Sequence, residues 1–201
     1  MQRLLTIMVL ATLFLAACDA NHKLQPLADD AIILAFGDSL TFGTGAAKGT
    51  SYPSVLANLA GLKVINKGIA GEQTAQGLAR LPAVLEQTKP ALVILCHSGN
   101  DILRRKSKDL ARQNLEAMID LIQASGAQVL LVGVPDFGLF LSAADFINQA
   151  AENTQVAYVA DLLPDLQGDK SIKSDAVHFN AKGYAQLAQG IYKNLQDFGA
   201  L

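Results

Sequence analysis

Residues 31–40, AIILAFGDSL, couple an unbroken apolar run to a polar turn. So short a run, apolar at every position instead of every second one, reads as a strand buried on both faces. Further strands are expected at 62–66 (LKVIN), at 91–96 (ALVILC), which is again uniformly apolar, and at 128–133 (QVLLVG), with 156–159 (VAYV) a candidate fifth. Between these runs the apolar spacing changes to that of helices. Residues 52–60 follow Ser51 as an N-cap and stop at Gly61. Residues 74–88 repeat Leu78, Leu81, Val84 and Leu85 at helical spacing and close before Pro90, with Pro82 marking a kink or a restart. Residues 107–125 turn Leu110, Leu115, Met118, Ile119 and Ile122 inward, and 142–152 and 181–198 complete the set. Buried strands alternating with helices predict a three-layer α/β/α domain, a doubly wound parallel sheet of five strands. Such sheets bind ligands beyond the carboxyl ends of their strands.

The whole chain of 201 residues fits one such domain with a short appendage. Hydrophobic residues make up 51% and charged residues 17%, enough for a sizeable core. Sixteen Lys and Arg against eighteen Asp and Glu leave a net charge of −2, so no basic excess exists to hold nucleic acid. Two cysteines and three scattered histidines supply neither a disulfide framework nor a metal site.

The N-terminus reads as an address. Residues 1–17 pair Arg3 with the apolar run LLTIMVLATLFLAA, which is shorter than the about 20 residues a spanning helix needs. The run ends Leu15-Ala16-Ala17-Cys18, which resembles the bacterial lipobox. That resemblance implies a signal segment over 1–17, lipidation at Cys18 and a membrane anchor. It also implies a domain facing the periplasm in the cell envelope. Asp19 then points to the inner membrane, as it does in enterobacterial lipoproteins. Several acyl chains would anchor the domain stably. With Cys18 acylated, Cys96 has no disulfide partner. Residues 18–30 are polar and read as a tether, with His22 in it, and 31–201 as the folded domain.

Four strand-end segments carry chemistry. The first strand is followed by Gly37-Asp38-Ser39-Leu40, the second by Asn66-Lys67-Gly68-Ile69-Ala70-Gly71, and the third by Ser98-Gly99-Asn100-Asp101. Asp175-Ala176-Val177-His178 precedes the last helix. Together they offer a hydroxyl, a glycine-lined turn, an amide side chain and an Asp/His pair on one rim. That set suits acyl transfer, which needs a nucleophile, a base, a group to orient the base, and oxyanion donors.

In these four segments and their order, the chain resembles the SGNH hydrolases, also called GDSL esterases and lipases. Within them it is similar to the bacterial acyl-thioesterase, lysophospholipase and arylesterase group. The likeness covers nearly all of residues 32–195 and is densest over 66–101. It implies a flavodoxin-like layered fold. It also implies Ser39 as nucleophile, His178 as base and Asp175 as its partner, with the backbone N–H groups of Ser39 and Gly71 and the side chain of Asn100 as oxyanion donors. Histidine can take the proton that a serine hydroxyl cannot otherwise lose, and activity is expected to fall as His178 protonates. Acyl esters, acyl thioesters or lysophospholipids are the implied substrates, with no cofactor and no metal. An O-acetylesterase of the same family is the alternative. A non-catalytic lipid-binding lipoprotein would lack one of these groups, and none is missing. An FMN-binding flavodoxin-like protein would need a hydroxyl-rich phosphate loop where Asp38 stands.

Neighbouring residues read more plainly. Asp38, Gly68 and Asp101 are expected to hold turns, His97 to be a buried hydrogen-bonded ring and Cys96 a buried hydrophobe. Ser98 is expected to narrow the pocket, and Arg104, Arg105 and Lys106 to form a solvated cluster. Residues 135–141 (PDFGLFL) are too apolar for a free loop. Phe137, Leu139, Phe140 and Leu141 are expected either to pack in the core or to form a lip that binds an acyl chain, which would favour medium or long acyl esters.

Overall fold

A computed structural model describes residues 23–137 and 141–201. The signal segment, Cys18, Asp19 and His22 lie outside the described residues, as do Leu139 and Phe140 and the side chains of Phe137 and Leu141.

Strands β1 (Ile32–Gly37), β2 (Lys63–Gly68), β3 (Leu92–Cys96), β4 (Gln128–Val132) and β7 (Ala157–Val159) form one sheet in the order β2-β1-β3-β4-β7. Every pairing in it is parallel. The predicted five-stranded doubly wound sheet is therefore present. All of β3 is buried, and so is β1 beyond its first residue, which is why both are apolar without alternation. Helices α2 (Tyr52–Ala60) and α8 (Ala181–Asp197) pack together, and α5 (Lys108–Ala124) packs against both α3 (Thr74–Thr88) and α6 (Asp145–Thr154). The chain order reverses beside β1, which neighbours both β2 and β3, and this is the switch point where such sheets open a crevice. The register sets Gly37 level with both Gly68 and Cys96, so three strands end flush and their following turns share one rim.

Several elements depart from expectation. Residues 135–141 are not a simple loop: β5 (Pro135–Phe137) pairs antiparallel with β6 (Leu141–Ala143), and the next helix, α6, starts at Asp145, later than the predicted 142. Short helices α1 (Ser39–Phe42), α4 (Gly99–Leu103) and α7 (Leu162–Gln167), and a 3-10 turn at Lys170–Ile172, are too brief to show apolar periodicity. Leu110 does not face inward but is 54% exposed. It lies about 100° around the helix from Ala111, the first residue of the buried stripe that continues through Leu115, Met118, Ile119 and Ile122. Pro82 does not restart the helix: α3 is one continuous element, and Pro82 lies on its exposed face.

The expected tether is docked in part. Leu24 is buried and its N–H donates to Phe198 O at 2.9 Å, while Leu27 N–H donates to Ala200 O at 2.9 Å. The Gln128 side chain accepts from Gln25 N–H at 2.6 Å and donates to Gln25 O at 3.0 Å. Polar composition concealed this because the ties are made by backbone and one glutamine, with Leu24 and Leu27 supplying the apolar contact.

Candidate active site

The turn after β1 is built by Asp38. Its Oδ1 accepts from Leu40 N–H at 3.2 Å and caps α1, which puts Ser39 at the first helical position, half-buried. Asp38 itself is buried, and removal from water raises its carboxyl pKa despite the opposing pull of His97 and of the N–H groups of Leu40 and Gly99. It thus holds the turn, as expected.

His178 and Asp175 come from a loop that folds upon itself. Ser174 N–H donates to His178 O at 2.9 Å, and Asp175 Oδ1 accepts from the N–H groups of Val177 at 2.8 Å and His178 at 2.7 Å. Phe179, fully buried, pins the loop to the core in an edge contact with Tyr184. Gln167 Nε2 donates to Val177 O at 2.9 Å, and Lys173 Nζ donates to the Gln167 side chain and to the same carbonyl. The result is a linear relay: His178 Nε2 stands 2.9 Å from Ser39 Oγ, and Nδ1 stands 2.8 Å from Asp175 Oδ2. Partial burial works against the Asp175 charge. The hydrogen bonds from the His178 backbone and ring and from Val177 outweigh it and lower its pKa to about 2.

The segment after β2 ends in the turn Ile69–Glu72, closed by Glu72 N–H to Ile69 O at 3.3 Å. Gly71 takes φ +80°, a value that a side chain would oppose. Among the described residues, the N–H groups of Gly71 and Ser39 donate to no protein acceptor. Asn100, at the start of α4, directs Nδ2 to Glu72 O at 3.0 Å and lies 3.5 Å from Asp38 Oδ2. Asp101 binds the start of α3, accepting from Thr74 N–H and Thr74 Oγ1, both at 2.9 Å, and Asn114 steadies that hydroxyl at 3.0 Å. So Asp101 organises the Asn100 loop, as expected. Ser39, Asn100, Asp38, Leu103, Val134 and Gln167 line one narrow cleft. Leu103 also lines an adjoining cavity of about 450 Å³ bordered by Ile102, Phe146 and the cationic Arg105, Lys106 and Lys108.

The chain belongs to the GDSL-like lipase/acylhydrolase family. That family's sequence model matches residues 35–186. The chain is 30% identical to Esterase TesA of Pseudomonas aeruginosa over 92% of its own length and 97% of the relative's. It is 36% identical to an arylesterase of Vibrio mimicus over 70% of this chain and 71% of the other. A crystal structure of TesA superposes with a TM-score of 0.75 at 28% identity, covering 83% of this chain and 99% of that one. This GDSL-family member is a carboxylic ester hydrolase.

Some expectations need correction in this family member. Ser98 does not narrow the cleft: it is fully buried, takes φ +88°, and among the described residues its hydroxyl has no partner. His97 is indeed a buried hydrogen-bonded ring, with Nε2 3.2 Å from Glu72 Oε2 and Nδ1 accepting from Ser98 N–H at 2.8 Å. Cys96 is a free, buried thiol whose pKa burial drives far upward, so it stays protonated. Among the described residues no cluster suited to a metal ion is present. Sequence reading missed Glu72, Arg80, Gln167 and Lys173, which hold site residues without touching the Ser39 hydroxyl. Glu72 directly follows Gly71, and that adjacency was the one available signal.

Proposed function

We propose that this hydrolase cleaves carboxylic acyl esters through Ser39, His178 and Asp175. The supporting observation is the unbroken Ser39–His178–Asp175 relay of 2.9 and 2.8 Å. His178 Nε2 takes the Ser39 proton as Oγ attacks the ester carbonyl carbon. The resulting oxyanion is met by the N–H groups of Ser39 and Gly71 and by Asn100 Nδ2. The same Nε2 returns its proton to the leaving oxygen or sulfur, leaving an acyl-serine. Water, deprotonated by His178, then releases the acid and restores Ser39. Asp175 keeps the ring's other proton on Nδ1 and stabilises the imidazolium. No step calls for a cofactor.

Medium and long acyl esters, acyl thioesters and lysophospholipids are the proposed substrates. The cavity adjoining the cleft at Leu103, with Ile102 and Phe146 in its wall and charges of both signs, Lys108 being paired to Asp136 at 2.6 Å, supports an acyl chain. Phe137, Leu139 and Phe140 are proposed as a lip beside Pro135, which lines the cleft. The domain is proposed to be lipid-anchored at Cys18 and to face the periplasm from the inner membrane. Labelling with radioactive palmitate in a bacterial host should mark the full chain and not Cys18→Ala; equal labelling refutes the anchor.

The deciding experiment is a p-nitrophenyl ester series from two to sixteen carbons on the full chain in detergent, with Ser39→Ala as blank. A Ser39-dependent optimum at six or more carbons is expected. Turnover of acetate alone would replace this reading with O-acetyl ester hydrolysis. Turnover in Ser39→Ala equal to that of the parent would overturn the nucleophile.

A further inference from the structure

Behind the cleft lies a buried ionic cluster to which the reaction above assigns no part. Glu72 is 5% exposed and accepts from Arg80 Nε and Nη2, both at 2.6 Å, a two-pronged grip. His97 closes on the same carboxylate, Nε2 to Oε2 at 3.2 Å. Because His97 Nδ1 accepts from Ser98 N–H, the proton of the neutral ring sits on Nε2 and points at Glu72. Arg80 also donates to Lys67 O at 2.9 Å and lies 3.9 Å over the Phe36 ring. The cluster therefore spans the ends of β1, β2 and β3 and the face of α3.

Its position relative to the oxyanion donors is what matters. Glu72 directly follows Gly71 in the turn whose φ +80° presents the Gly71 N–H. The Glu72 carbonyl, at the other end of the same residue, accepts from Asn100 Nδ2 at 3.0 Å. One residue thus fixes two donors that come from different strand ends. Burying a charged cluster stabilises a fold poorly compared with apolar packing, so a cluster placed here calls for another role.

We propose that Glu72, clamped by Arg80 and His97, is the positioning residue of the oxyanion hole, setting both the Gly71 N–H and the Asn100 amide. This rests on Ser39 being the nucleophile. A displacement of about 1 Å in such groups can cost up to about 100-fold in rate.

The test compares Glu72→Ala, Glu72→Gln and the double variant Arg80→Ala/Glu72→Ala with the parent and with Ser39→Ala, as full chains in detergent. The readouts are kcat and KM on p-nitrophenyl butyrate, Ki for a trifluoromethyl ketone that forms an oxyanion on a catalytic serine, and the melting temperature. Glu72→Ala is expected to lower kcat about 10- to 100-fold with KM within about twofold, and to weaken the ketone in the same proportion. Glu72→Gln, which keeps one acceptor oxygen, should recover part of both losses. The double variant should be no slower than Glu72→Ala alone, as expected of residues acting as one unit. A folded Glu72→Ala with kcat within twofold of the parent overturns the proposal, and so does lost activity with an unchanged ketone Ki. If Glu72→Ala does not fold, Glu72→Gln and Arg80→Lys decide, and unchanged kcat and Ki in both overturn it. Activity surviving in Ser39→Ala would defeat the serine reading instead; an inactive Ser39→Ala beside fully active Glu72 variants defeats this inference alone.

Discussion

Ser98 holds φ +88° and buries a hydroxyl that has no partner among the described residues. Each is a cost of order 1 kcal/mol or more that glycine would remove, against a smaller loss of chain entropy. Ser98→Gly should therefore raise the melting temperature by about 2–4 °C, read by calorimetry, while the N–H that binds His97 is kept. Gly77 is the opposite case. A Cβ there would fall 2.5 Å from His97 Nε2, so Gly77→Ala should destabilise by about 1–3 kcal/mol in urea unfolding, and by less when His97 is also alanine. Asp175 acts through its charge. A carboxyl with its pKa lowered to about 2 is charged at every pH above that, and it loses its hold on His178 only as pH falls through that value. Protonation of Asp175 should therefore take no part in any loss of kcat above pH 4. Asp175→Asn should lower kcat by about 10³–10⁴-fold across the profile. An acidic loss of kcat above pH 4 that disappeared in Asp175→Asn would contradict this. Ser39, His178 and Asp175 were legible as residues because their types and order are themselves the signal. Ser98 was not, since its strain is a matter of φ and burial.

Elements divide along the same line. The long ones were readable: α2 and α3 begin and end where their caps, Pro90 and apolar spacing place them. The short ones were not. A four-residue helix such as α1 has no periodicity, and what forms it is one capping contact from Asp38. The β5–β6 hairpin has the apolar content of a core segment, and only its pairing distinguishes the two. The docked segment beside α8 makes a prediction at this scale. Leu24→Ala removes buried apolar surface where backbone bonds to Phe198 and Ala200 hold the segment down. It should cost about 2 kcal/mol in denaturant unfolding and leave KM and kcat unchanged. A cost near zero would mean that residues 24–27 contribute no packing.

For the whole molecule, the pattern of five short strand-like runs and intervening helices sufficed for the layered sheet, because the continuous apolarity of the central ones is compatible with few environments. The same sequence carried the four segments that meet at the cleft, since a hydroxyl, an imidazole, a carboxylate and an amide are recognisable by chemical type. Which strand ends meet was a tertiary matter. Gly37, Gly68 and Cys96 are level only because β1 lies between β2 and β3 in register. The 2.9 Å between Ser39 and His178, 139 positions apart, follows from the pinning of Phe179 and from that register. Glu72, Arg80 and His97 form a cluster only through the same arrangement, since none of them is within reach of another along an isolated chain. Hydrophobic periodicity and residue chemistry are local properties and can be read from order alone. Distances, burial and the field at a carboxylate depend on which segments are brought together, and the fold alone sets those.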